Sequence, residues 1–232
     1  MSSILQATTT TQIPVTRIVK GAPYLTEINF FHTDAENQVR MLHEIVEASK
    51  RMAEQPGQVA VNTLRSLDGS RVCTYLQWDN QPTLRQAHRV IAESGYQERA
   101  LTYALNQPLP RVYEIVYTDD RSSDGVSVIS PAYEGAIFIN EITTQPLTQA
   151  RLLQLVIANN EIQSMGTSGY RSANFHSSLD GERAVNYSLW DTSEHCIEAI
   201  SNMADMDENL EETVQIANPD FRFYELVFAV HR

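Results

Sequence analysis

Asn186 and Trp190, four residues apart, are the pair in this sequence whose types and spacing best suit chemistry. On a strand, positions i and i+4 share a face, so a carboxamide and an indole stand roughly 13 Å apart along it and can flank a small planar ligand. A second pair, Thr74 and Trp78, repeats the spacing in the first half of the chain. Packing alone also accounts for a lone strand tryptophan. Two histidines lie close enough in sequence to act with these pairs. His176 stands where the first half has Leu64, so one position is apolar in one copy and titratable in the other. His88 falls ten residues after Trp78 and suits either a general base for a phenol or a solvated surface position.

Other chemistries find little support. Seventeen basic against twenty-nine acidic side chains give a net charge of −12, with no basic face for nucleic acid. Six histidines show no metal-ligand spacing, so no metal is expected. Cys73 and Cys196 are far apart and encode neither a disulfide framework nor a zinc site, usage that fits a reducing cytoplasm. Met1 to Thr11 lacks the basic and apolar regions of a signal peptide, and no segment reaches bilayer-spanning length. The expectation is a cytoplasmic protein with no membrane partner.

The elements that position these residues come in two sets. Ser66-Leu67-Asp68-Gly69 recurs as Ser178-Leu179-Asp180-Gly181, and Tyr75, Trp78 and Asp79 recur as Tyr187, Trp190 and Asp191, always at an offset of 112. Over Gln58 to Asp79 the two copies agree at 9 of 22 positions. Ile28-Asn29 answers to Ile139-Asn140 after a one-residue shift. Alternation predicts strands over Tyr24–Phe31, Val59–Ser66, Arg71–Trp78 and Arg111–Tyr117. A first helix, capped by Asp34, carries Val39 to Met52; a second opens at Asn80 and Pro82 and breaks near Gly95. The second half repeats the order: strand Ala136–Thr143, helix Thr148–Gln163, strands Tyr170–Ser177 and Arg183–Trp190, a helix from Ser193, and strand Phe221–Val230. The fold class is α+β, two tandem ferredoxin-like βαββαβ units that pair within one chain as a pseudo-dimeric α/β barrel. Expected boundaries are an arm over 1–22, units over 23–118 and 135–232, and a turn-rich linker over 119–134. Period two puts Thr74 with Trp78, and Asn186 with Trp190, on one face, while Tyr75 and Tyr187 belong to the opposite, buried seam. The acidic run from Asp205 to Glu212 reads as a solvated helix face.

The order of elements, the Ser-Leu-Asp-Gly hairpin and the following Tyr-x-x-Trp-Asp, each present twice, resemble the antibiotic biosynthesis monooxygenase domain, in two copies covering Tyr24 to Val230. The resemblance implies a pocket between the sheet and helices of each unit. It further implies a monooxygenase of secondary metabolism that inserts one oxygen of O₂ into an aromatic, polyketide-like phenol to give a quinone, with no cofactor. Polyketide-oxidising members carry an asparagine four residues before the strand tryptophan, as Asn186 stands before Trp190; the first half has Thr74. Haem-degrading members carry a strand-one asparagine, which Asn29 and Asn140 match, but their helix tryptophan and iron-binding histidine fall near Gln86 and Tyr96, and near Glu198 and Glu208.

On this reading Asn186 would bond the substrate oxygen, Trp190 would stack on its ring and His176 would serve as base, with Thr74, Trp78, His88, Asn29 and Asn140 as further substrate contacts. The partners are a small aromatic substrate and O₂, and two chains could pair again as a homodimer. The competing class is a non-redox barrel that binds or cyclises an intermediate. A division of labour, with a competent second pocket and a structural first half, is a further expectation.

Overall fold

The computed structural model describes residues 15–122, 124–164, 166–206 and 210–232; the Thr-rich start and the Asp207–Glu208 part of the acidic run lie outside them. The elements run β1 (Thr16–Ile18), β2 (Leu25–His32), α1 (Gln38–Ala53), β3 (Gln58–Ser66), β4 (Arg71–Trp78), α2 (Gln81–Ser94), α3 (Tyr96–Leu101), β5 (Arg111–Asp120) and β6 (Ser127–Ile129). There follow β7 (Ala136–Thr143), α4 (Gln149–Ser164), β8 (Tyr170–Ser178), β9 (Arg183–Trp190), α5 (Ser193–Met206), α6 (Leu210–Ile216) and β10 (Asn218–His231). Eight strands close into an antiparallel barrel in the order β10-β3-β4-β2-β5-β8-β9-β7.

Closure depends on two long strands that each serve two neighbours. The first half of β10 pairs with β7 and its second half with β3, while β5 pairs with β2 through Arg111 to Tyr113 and with β8 from Tyr113 onward. Bulges at Leu226/Phe228 and Ile115/Tyr117 bend these strands around the barrel. Period two then divides every strand between two environments. Ile28, Phe30, Cys73, Tyr75, Ile137, Ile139, Val185 and Tyr187 point into the barrel, where they form the main core with Leu64, Tyr113 and Tyr224. Leu76 and Trp78, and Ala184 and Trp190, point outward under the helices.

Local chemistry sets the helix ends. Asn80 accepts from the Thr83 amide at the start of α2, and Gly95, at φ 73, ends it in the left-handed conformation that separates α2 from α3. Asp34, expected to cap α1, instead accepts from the Asn37 amide at 2.9 Å one turn earlier, and α1 begins at Gln38. The stretch 119–134 holds more than turns: β5 runs on to Asp120, and β6 pairs with β1 of the N-terminal segment. Ile18 and Ile129 of that small sheet are buried against the barrel core, and Thr16 Oγ1 donates to Asn62 Oδ1 at 3.1 Å. The segment from residue 15 to 22 is thus packed in place by apolar contact and a buried hydrogen bond. No helix among the described residues is long and apolar enough to cross a membrane.

Candidate functional site

Each half holds a cavity between the outer face of its strands and its helices. In the second half, β7 and β9 form the floor and α4, α5 and α6 the cover of a cavity of about 280 Å³, near the lower end of ligand sites at roughly 300–1,000 Å³. Asn140 and Asn186 face each other across the β7–β9 ladder, with Ser188 and Trp190 farther along the same face of β9. The two asparagines are held differently. Asn140 Oδ1 accepts from the Asp220 amide at 3.0 Å. Asn186 makes no hydrogen bond through its side chain, and its Oδ1 is completely buried. An amide oxygen desolvated without a partner is costly unless a ligand supplies a donor.

Trp190 is fixed from two sides. Its Nε1 donates to Ser188 Oγ at 3.1 Å, and Tyr170 meets its ring edge-on with centroids 5.3 Å apart. Tyr170 in turn donates to Asp119 Oδ2 at 2.8 Å and lies under the Arg121 guanidinium. The remaining walls are mostly apolar, including Phe138, Phe175 and Phe221, with Asn159, Asn160, Thr167 and Thr213 among them, and no charged side chain of the described residues lines the cavity. Its titratable groups are poor proton acceptors: burial pushes the Cys196 thiol up to about 12 and raises the Tyr170 phenol well above its ordinary range.

His176, expected beside Asn186, is elsewhere. It pairs with Val185 rather than Asn186, so it faces the barrel interior with the sheet between it and the cavity. There it is fully buried, Nε2 lies 3.1 Å from the Tyr75 hydroxyl, and Nδ1 lies 3.1 Å from the Asn174 carbonyl. A carbonyl accepts only, so Nδ1 carries the proton and Nε2 accepts from Tyr75. Desolvation pushes the imidazole down to about 4, which keeps it neutral. It is a core residue, paired with one of the two repeated tyrosines.

The first-half cavity, about 310 Å³, gathers Asn29, Thr74 and His88, as expected. Trp78 is not part of it: the indole is wholly buried and sealed by Val61, Leu84 and Ala87. A residue that sequence reasoning passed over holds this site together. Glu27, 1% exposed, receives Asn29 Nδ2 at 2.7 Å and His88 Nε2 at 2.9 Å. That carboxylate, through its hydrogen bond, raises the imidazole above its ordinary value despite partial burial. The sequence signal was available, since Glu27 is one strand repeat from Asn29, which puts two polar side chains on the same face of β2. The repeat places Phe138 and Ile200 where Glu27 and His88 stand, so the two cavities share position but differ in polarity. Among the described residues no group of three or more His, Cys, Asp or Glu is arranged to hold a metal ion.

Comparison with known proteins agrees on architecture. No family model matches the sequence, and no curated protein matches it. Among solved structures, an anthrone oxidase-like protein superimposes with a TM-score of 0.75 at 19% identity, covering 94% of this chain and 96% of that one. A candidate monooxygenase from Fusobacterium nucleatum gives 0.59 at 7% identity over 91% and 96%, and another from Lactobacillus acidophilus gives 0.53 at 7% over 90% and 97%. These three neighbours are named as anthrone oxidase-like or monooxygenase proteins. At these identities the likeness is one of fold.

Proposed function

We propose that the second-half cavity is the active site of a cofactor-independent monooxygenase that oxidises a phenolic, polyketide-like aromatic to a quinone. The observation that carries this reading is the half-buried Asn186 carboxamide beside Trp190, whose Oδ1 is fully buried without a partner, in a cavity lined largely by apolar side chains. The fold likeness to an anthrone oxidase-like protein supports it. In the reaction, a ring CH₂ activated by neighbouring phenols becomes C=O, one oxygen atom of O₂ enters the product and the other leaves as water. The substrate supplies all four electrons.

Asn186 Oδ1 accepts from a substrate hydroxyl, and Nδ2 donates to the phenolic oxygen as it acquires negative charge, in a site whose low polarity strengthens that bond. Trp190, locked by Ser188 and Tyr170, presents its indole to the ring. With His176 behind the sheet and Tyr170 and Cys196 holding their protons, the substrate proton passes to water at the cavity mouth. The protein thus binds, desolvates and orients, and the electron-rich anion reduces O₂.

We read the barrel as an intrachain pseudo-dimer with units over 23–118 and 135–232, the second being the oxygenating half. The test is oxygen uptake by metal-stripped, flavin-free protein on anthrone and dihydroxynaphthalene substrates, with mass spectrometry of the product. Asn186→Ala is expected to slow turnover about 10²- to 10³-fold, the usual cost of one such donor. A rate within a few-fold of wild type removes Asn186 from the mechanism. Tight binding with no enzyme-dependent uptake favours the non-redox barrel instead.

A further inference from the structure

The first-half cavity carries chemistry that oxygenation in the second half leaves unused. Its polar atoms form one ordered set. The Glu27 carboxylate can only accept, so the Asn29 amide must turn its nitrogen towards it, and Nδ2 also donates to Thr74 Oγ1 at 3.1 Å. Both amide hydrogens are then used, and Asn29 Oδ1 is left fully buried with no partner on a side chain only 6% exposed. Thr74, accepting at Oγ1, keeps its own hydroxyl hydrogen to donate. His88 commits Nε2 to the two oxygens of Glu27, at 3.1 and 2.9 Å, which leaves Nδ1 as its free nitrogen.

An acceptor and a donor side by side on neighbouring strands are what a single hydroxyl group answers, since it gives one hydrogen bond and takes others. Across the cavity the His88 ring, drawn towards its protonated form by the Glu27 carboxylate, presents one further N–H at Nδ1. The walls between are mostly apolar, with Phe31, Met52 and Ile91 among them and Ser49 and Gln97 as the polar exceptions. The buried Glu27 carboxylate already has His88 as its partner at 2.9 Å, so an uncharged ligand enters without unpairing a buried charge.

We propose that this cavity is a second ligand site of different chemistry, which takes a neutral ring compound bearing a hydroxyl at one end and a carbonyl at the other. The hydroxyl donates to Asn29 Oδ1 and accepts from Thr74, the carbonyl accepts from His88 Nδ1, and Glu27 fixes both flanking side chains. The second half cannot bind such a ligand this way, because Phe138 and Ile200 stand where Glu27 and His88 do. The proposal does not rest on the oxygenation reading.

The test uses 6-hydroxy-1-tetralone, with 6-methoxy-1-tetralone as the analogue whose ring oxygen has no hydrogen to give. Binding to the full chain is followed by calorimetry and by the imidazole NMR signals of His88, assigned by their absence in His88→Gln. Saturable movement of those signals is expected with the hydroxy ketone, with at least tenfold weaker binding of the methoxy compound. Thr74→Val, close in shape to the parent, removes the hydroxyl from which the ligand oxygen accepts and is expected to weaken the hydroxy ketone at least tenfold. Still His88 signals at calorimetric saturation, no binding, or equal affinity for the two ketones overturns the proposal. Should Thr74→Val fail to fold, the comparison of the two ketones on the wild-type chain decides alone.

Discussion

Acidification should expose His176 as a buried switch of stability. Desolvation holds its imidazole down to about 4 in the folded protein, against about 6.5 in an unfolded chain. Between those values the unfolded state binds the extra proton, so stability is whole above about 6.5 and falls as pH drops towards 4. From these two values the loss is about 2 kcal/mol by pH 5 and about 3 kcal/mol by pH 4, relative to pH 7.5. Because the side chain is fully buried, solvent screening does not reduce the effect. Carboxylates titrate in the same range, so the measurement is a difference. Urea unfolding of wild type and of the double variant Tyr75→Phe/His176→Leu is followed at pH 7.5, 6 and 5. The double variant restores at 176 the leucine found at position 64 and removes the hydroxyl that would lose its acceptor. The stability gap should shift in the variant's favour by about 2 kcal/mol between pH 7.5 and 5. Parallel pH profiles would refute the assignment of His176 as a neutral core residue.

Further predictions concern the two cavities and the small sheet. The His88 pKa, read from its NMR titration, should lie above the ordinary histidine value and fall in Glu27→Gln, because Glu27 is the cause of the rise. The pair's contribution to stability is present below the unfolded histidine value and lost as pH rises through the folded one. Trp78→Ala should cost about 3–5 kcal/mol in equilibrium unfolding, since the indole is wholly buried in a closed cluster. Trp190→Phe, beside a cavity, should cost less stability and more turnover; the reverse order would contradict their different placement. Gly135→Ala should destabilise β7 and reduce activity together, because its Cβ would come 2.3 Å from the Trp190 carbonyl oxygen. Ile129→Ala should cost about 2–5 kcal/mol by the same unfolding assay, as expected for a core residue but not for a linker.

Much of the candidate site was legible because strand parity is local. Counting residues along β9 is enough to separate Asn186 and Trp190 from Tyr187, and β4 separates Thr74 from Tyr75 in the same way. The face of His176 was also within reach: about the Asp180–Gly181 turn, the hairpin register pairs it with Val185, on the Tyr187 side. Glu27 escaped notice because a carboxylate two residues from Asn29 on one strand face has no defined partner in the sequence. Its meaning arises only when α2 lays His88 over β2, 61 residues away in sequence.

The sequence by itself determined the repeat, the order of strands and helices, and which residues share a strand face, since each follows from patterns within a few residues of backbone. Tertiary structure alone decided that Trp78 is sealed while Trp190 lines a cavity, that β5 and β10 bend to serve two neighbours each, and that Ile18 and Ile129 pack against the barrel core. The physical reason is common to all three. Two nearly equivalent patterns place the same residue types at the same positions, but whether a side chain meets a neighbour or a void depends on the volumes that distant segments bring to it.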